Sequence, residues 1–245
     1  MPPRRDLIHL DGTLAEEEVH VWHNDLAVSE HSFEELFQLL DAGERDRAAR
    51  FKVPDPRRQF VISRAFLRIV LGRYLQLDPA CLSFRVTEHG KPELSTGSDL
   101  RFNLSHTEGA AVVAVTRARR VGVDVERIRQ NLNPLELADR FFSREESDWL
   151  RSQPVSQQFA AFFACWTAKE AYVKACGGGL SMPLTAFAVI PRSGNAKLQL
   201  QIYGDPESAG RWSLWQLDFG PDLRSALAVE GENPAVRIGE WSPSP

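Results

Sequence analysis

Cysteine is scarce in this chain of 245 residues. Cys81, Cys165 and Cys176 are the full set, and no two stand at the CxxC spacing of a metal site. An odd, sparse set suits a reducing compartment, so a cytoplasmic protein is expected. Long apolar runs are missing as well. The opening MPPRRDLIHLDG has no secretion-signal core. No stretch has the length needed to span a membrane. An excess of positive charge is also lacking: 29 Lys and Arg face 33 Asp and Glu, for a net charge of −4. A generally basic nucleic-acid binder is therefore not expected, although a local basic site remains compatible with the composition. There is no solenoid-period repeat, low-complexity tract, nucleophile elbow, zinc signature or Rossmann glycine fingerprint.

What is present is ordinary globular composition, 43% hydrophobic and 25% charged. The length fits one large domain or two small ones. Val19 to Trp22 reads as a short strand and Ser29 to Leu40 as an amphipathic helix capped by Ser29 or Ser32. The charged stretch AGERDRAARF follows. Arg57 to Leu75 is a strong helix, apolar on nearly every face and so expected at the centre. Leu82 to Thr87, FNLSH, AAVVAVT and Val121 to Glu126 read as strands, with EHGKPEL as a turn. Leu135 to Phe142 is helical. Ser143 to Glu146 has capping-box spacing and should open a further helix. Phe159 to Cys176 is a long helix stopped by Gly177, Gly178 and Gly179. Strands are expected at 185–190, 197–203, 211–219 and 224–230. The first dozen residues and the tail WSPSP read as loose ends. The pattern predicts an α+β fold of two halves, 1–120 and 121–245, each an antiparallel sheet with packed helices.

Asp124 and Glu126 alternate with Val121, Val123 and Val125, so a strand here turns both carboxylates to one face. Oxygen ligands grouped in this way suit Mg²⁺ or Mn²⁺. A bare D-x-E is more often the solvated face of a strand. Glu170 shifts the balance. At roughly 100° per residue it falls within the apolar stripe of Phe159, Phe163, Trp166 and Val173. A carboxylate there is costly unless paired or bound to metal. A surface Glu170–Lys174 pair would explain the spacing but not the apolar neighbours. Arg47, Arg50, Arg57, Arg58, Arg64, Arg68, Lys91, Lys169 and Lys174 are candidate partners for an anionic substrate. Most such cations are solvated surface charges, Arg64 being the exception because its helix has so little polar surface. Taken singly, Ser105 reads as a turn residue and His106 as a half-buried imidazole.

GKPEL (90–94), FNLSHTEG (102–109), VGVDVERI (121–128), RFFSREE (140–146) and WTAKEAYVKACGGGLSMPL (166–184) follow one another in this order. From about Arg47 to Phe187 the chain closely resembles the Sfp-type 4′-phosphopantetheinyl transferases, which activate carrier proteins. The resemblance implies two pseudo-twofold-related halves with coenzyme A bound between them. It implies Mg²⁺ (or Mn²⁺) on Asp124, Glu126 and Glu170, and attack of a carrier-protein serine on the β-phosphate. The products would be the holo-carrier and adenosine 3′,5′-bisphosphate. By the same resemblance Glu170 is the base, Lys174 contacts the pyrophosphate with Lys169 in support, and Ser105 and His106 contact coenzyme A phosphates. Arg47 and Arg64 match positions that grip the 3′-phosphate, Lys91 and Pro92 match the loop beside the adenine, and Glu146 matches a family acid with no role assigned. The 3′-phosphate and adenine contacts would thus belong to the half 1–120, the metal site and catalytic helix to 121–245. The expected partners are an acyl or peptidyl carrier protein and coenzyme A, with no nucleic acid and no membrane, and the expected state is a monomer. A non-catalytic coenzyme A or carrier-binding module on the same scaffold is the alternative. Another metal-dependent phosphotransferase, such as a nucleotide hydrolase, is a weaker third reading.

Overall fold

The structure, a computed structural model, describes residues 13–88, 90–95, 97–179, 182–191 and 196–241. The expected loose segment 1–12 and the last four residues lie outside these. Eleven strands and seven α-helices follow in the described chain. The first sheet contains β1 (Glu18–Asp25), β4 (Leu100–Thr107), β5 (Ala110–Arg117) and β11 (Ala235–Glu240), in the order β11-β1-β5-β4. The second contains β6 (Val121–Arg127), β7 (Phe187–Ile190), β8 (Lys197–Ile202), β9 (Trp212–Leu217) and β10 (Leu223–Glu230), in the order β6-β10-β9-β8-β7. A small hairpin pairs β2 (Phe84–Val86) with β3 (Pro92–Leu94). The helices are α1 (Glu30–Gln38), α2 (Ala42–Ala49), α3 (Pro54–Leu75), α4 (Pro134–Phe141), α5 (Arg144–Arg151), α6 (Gln158–Cys176) and the short α7 (Pro206–Ala209).

The alternation of strand side chains explains the layering. On β5, Ala111, Val113 and Val115 meet Phe66, Leu67 and Val70 of α3. The intervening Ala110, Val112 and Ala114 meet Val121, Val123 and Val125 of β6 together with Leu227 and Val229 of β10. Both faces of β5 are buried, so its sequence reads as a continuous apolar run. On the far side of the second sheet, Ala226 and Ala228 of β10 receive Ala168, Ala171 and Ala175 of α6. The order through the molecule is helix, sheet, sheet, helix, an α+β architecture. Among the described residues no helix is long and apolar enough to cross a membrane.

Two expectations change and one element is added. Residues 42–49, which the sequence marks only as a charged stretch, form α2, opened by a capping box in which Asp41 and Glu44 serve each other's backbone. Trp241, expected in a loose tail, is buried and stacks on Phe66 at 5.4 Å between ring centroids. The strand just before it, β11, pairs in parallel with β1 from Glu18↔Ala235 to His23↔Glu240. A division into 1–120 and 121–245 therefore misplaces β11, which completes the first sheet.

Candidate active site

Gly122, Asp124 and Glu126 occupy the face of β6 opposite its valines, and that face is covered by α6. A methyl group on Gly122 would overlap the backbone of Ala171 and Ala175, so glycine is what lets helix and strand come this close. The small side chains of Ala168, Ala171 and Ala175 extend the same contact. Trp166, Glu170, Val173 and Lys174 then point to the side, into a cleft. The apolar neighbours of Glu170 on the helix surface thus include the wall of a cleft, not only core.

Asp124 is buried. Lys174 Nζ donates to its Oδ1 at 2.6 Å and Ser105 Oγ donates to the same oxygen at 2.8 Å. Lys174 also donates to Ser105 Oγ at 3.0 Å, and the backbone N–H of Val125 does so at 3.3 Å. Ser105 is saturated by these bonds: its proton goes to Asp124 and two donors fill its lone pairs. It holds the acid in place and has no proton left for a phosphate, unlike the phosphate contact expected of it. Asp124 Oδ2 is buried without a hydrogen-bond partner. Glu126 is held by Thr107 Oγ1 at 3.4 Å and Arg129 at 3.3 Å. The carboxyls of Glu126 and Glu170 both lie above the ordinary range, first through desolvation and then through the charge of Asp124.

Two adjoining cavities share Leu104, Trp166, Glu170 and Lys174. The smaller, about 470 Å³, is lined also by Ser105, His106, Asp124 and Glu126. The larger, about 790 Å³, runs between Lys91 and Pro92 on one side and Phe141, Met182 and Leu184 on the other. His106 keeps a face open to solvent inside this crevice. Partial desolvation, followed by the charges of Lys174 and Arg47, lowers its pKa. Lys91 lines the larger cavity, but its ammonium donates at 3.0 Å to the carbonyls of Val121 and of Lys174. It ties the 87–92 turn to the start of β6 and to the last turn of α6, and burial pushes its pKa down to about 8.

The other expected cations separate into two kinds. Arg47 is exposed at the end of α2, its guanidinium 5.1 Å from the Phe60 ring centre. Arg64 is bound to Glu44, Nε to Oε1 at 2.8 Å, and Arg68 is wholly buried on Glu44, Asp41 and the carbonyls of Pro79 and Leu82. Arg64 is thus already neutralised within the fold. Lys169 does not reach the cleft. It is fully buried on another side of α6, donating to both oxygens of Glu146 at 2.9 and 2.7 Å and to Phe187 O at 2.7 Å. Glu146 also accepts from the N–H groups of Val189 and Ser143. This pair fastens α5, α6 and β7 together, which gives Glu146 a structural role.

The donor set fits a hard divalent cation. All ligands would be oxygens, one of them is an orphaned buried carboxylate oxygen, and two neighbouring carboxyls are raised by desolvation and then by the charge of Asp124. Among the described residues no three such groups already close into a cage. Residues that pattern reading passed over are Asn103, Thr107, Trp166 and Phe141. The first two carried a signal: Asn103, Ser105 and Thr107 alternate with Phe102 and Leu104, a polar face on which Asn103 and Ser105 are buried and Thr107 half-buried.

Fold and cleft define an α+β protein of two packed sheets, with one buried acid, two half-buried ones and a lysine gathered beside an apolar groove. Residues 120–229 match the 4′-phosphopantetheinyl transferase superfamily, and residues 25–118 match the 4′-phosphopantetheinyl transferase N-terminal family. The 4′-phosphopantetheinyl transferase HetI of Nostoc sp. is 37% identical over 222 residues, 89% of this chain and 90% of its own length. The 4′-phosphopantetheinyl transferase Sfp of Bacillus subtilis is 29% identical over 206 residues, 84% of this chain and 88% of its own. The holo-[acyl-carrier-protein] synthase of Thermotoga maritima overlaps 46% of this chain and 63% of its own at a TM-score of 0.36 and 22% identity. The chain belongs to the 4′-phosphopantetheinyl transferase superfamily.

Proposed function

We propose that this protein transfers the 4′-phosphopantetheine moiety of coenzyme A to the serine of an apo acyl or peptidyl carrier protein, with release of adenosine 3′,5′-bisphosphate. The observation that carries this reading is the Asp124–Ser105–Lys174 network with Glu170 beside it, opening onto an apolar cleft. In the reaction the serine Oγ forms a bond to the β-phosphorus. The bond from that phosphorus to the bridging oxygen breaks, and the α-phosphate leaves with the adenosine. The serine proton must go to a base, and Glu170 is suited to receive it because its carboxyl is raised by desolvation and by Asp124. Lys174 places an ammonium where the pyrophosphate charge accumulates. Lys91 holds the backbone of residue 174 from below. His106 lines the smaller cavity, and Arg47 is near enough to lower its pKa; both would meet the further phosphate of coenzyme A.

Asp124, Glu126 and Glu170 are the residues that would hold Mg²⁺ or Mn²⁺, and the cation would supply charge neutralisation at the pyrophosphate. The larger cavity, apolar and open, would take the pantetheine arm. Both cleft walls come from one chain, which favours a monomer.

The test is intact-mass analysis of a panel of apo-carriers incubated with the protein, coenzyme A and Mg²⁺. A phosphopantetheine mass gain is expected with the natural protein and not with Asp124→Ala. Binding of coenzyme A with no transfer to any carrier would replace the reading by a binding module. Phosphate release from ATP without use of coenzyme A would replace it by a nucleotide hydrolase.

A further inference from the structure

β4 and β6 are edge strands of different sheets, and no backbone ladder joins them. The outward N–H groups of β6 nevertheless find acceptors, as buried donors must. Asn103 Oδ1 accepts from Val123 N at 2.8 Å, Ser105 Oγ from Val125 N at 3.3 Å and Thr107 Oγ1 from Arg127 N at 3.2 Å. Three side chains spaced two apart thus do the work of a neighbouring strand. The two hydroxyls do a second thing in the same step. Ser105 Oγ donates a hydrogen bond to Asp124, and Thr107 Oγ1 donates one to Glu126. In each case the hydroxyl accepts from one residue of β6 and donates to the carboxylate just before it.

We infer that Thr107 is a positioning residue for Glu126, as Ser105 is for Asp124, so that one strand of the first sheet sets the orientation of both acids on the edge of the second. This rests on the proposed metal-holding role of those acids. Thr107 matters more than its 3.4 Å bond suggests, because the remaining hold on Glu126 is weak. Arg129 is half exposed and reaches the same Oε2 at 3.3 Å, and a surface pair of this kind orders little. Ser105 differs in having Lys174 as a third partner. Threonine also suits position 107 because branching at Cβ restricts χ1, aiming the hydroxyl at β6.

Two variants separate the hydroxyl from the shape. Thr107→Val keeps the volume and removes the bonds; Thr107→Ser keeps the bonds and loses the branch. Mn²⁺ binding is read from the free-ion electron paramagnetic resonance signal, with coenzyme A present and no carrier. Thr107→Val is expected to weaken Mn²⁺ about tenfold, a difference of about 1.4 kcal/mol, and to raise the Mg²⁺ needed for half-maximal transfer by a similar factor. Thr107→Ser should stay within about twofold of the natural protein. A circular-dichroism melt confirms that each variant is folded. Natural Mn²⁺ affinity in Thr107→Val, or equal losses in both variants, overturns the inference, and so does absence of Mn²⁺ binding by the natural protein. Failure of the transferase reading looks different: no carrier gains mass with the natural protein, while the valine–serine contrast in Mn²⁺ binding still appears.

Discussion

Replacing Gly122 by alanine should damage the site without touching a polar group. A Cβ at this position overlaps Ala171 O and Ala175 N and stands 3.0 Å from Ala175 Cα. These are backbone atoms, so no rotamer change relieves the clash. To restore ordinary contact, α6 must withdraw from β6 by about 1 Å, the usual response of a close-packed interface forced to take an added methyl. The same displacement separates Lys174 from Asp124, now 2.6 Å apart, and Glu170 from Glu126. Overpacking of this kind costs about 1–3 kcal/mol of stability, while a misplacement of about 1 Å among reacting groups lowers rate by about 100-fold. A 100-fold rate loss is about 2.7 kcal/mol, so transfer and stability should fall together and by comparable free energies. Initial transfer rates from intact mass, set beside urea unfolding of the same protein, check both halves of the statement. A Gly122→Ala protein with natural rate and natural stability would show that the strand–helix approach does not set the geometry of the acids.

Lys169→Met leaves Glu146 charged and unpaired in the interior, where removing one partner of a buried pair costs about 3–5 kcal/mol. Urea denaturation should show that loss, with Mn²⁺ affinity preserved in the folded fraction; undiminished stability with lost transfer would return Lys169 to the substrate. Lys91 supplies a pH signature. Its folded pKa, about 8, lies below the ordinary 10.5. Between those values the unfolded chain holds more protons, so stability should rise with pH as Lys91 sheds its buried charge. Comparing natural protein with Lys91→Met from pH 7 to 10 should show the natural protein gaining relative to the variant above pH 8; a flat or falling difference contradicts the assignment.

Much of the site could be read in the sequence because its signals are local. Strand alternation turned Asp124 and Glu126 away from the valines, helical phase singled out Glu170, and Ser143-x-x-Glu146 opened α5 where capping-box spacing put its start. The position of Lys169 is hidden from the sequence for the opposite reason. A neighbour in sequence on a helix lies about 100° away, and what stands there, Glu146 and the Phe187 carbonyl, comes from distant elements. Arg64 likewise reads as available because no local signal sets Glu44 beside it, and the weakly amphipathic, charged sequence of α2 masks its Asp41–Glu44 box. The stitching of β6 by Asn103, Ser105 and Thr107 depends on which strands become neighbours, which no window of sequence contains. The same holds for β11.

That last strand has a consequence for how the molecule comes into being. A chain made from its N-terminus can assemble α3 against β1, β4 and β5 early, because those parts are contiguous in synthesis. The outer edge of β1 then waits, its hydrogen-bonding groups unpaired, until residues 235–240 arrive. Closure of the first sheet and burial of Trp241 against Phe66 can come only after the strands of the second sheet have been made. The first sheet is thus closed by a strand made after the second sheet, and any truncation that reaches β11 opens an adhesive strand edge on the side of the sheet opposite β4.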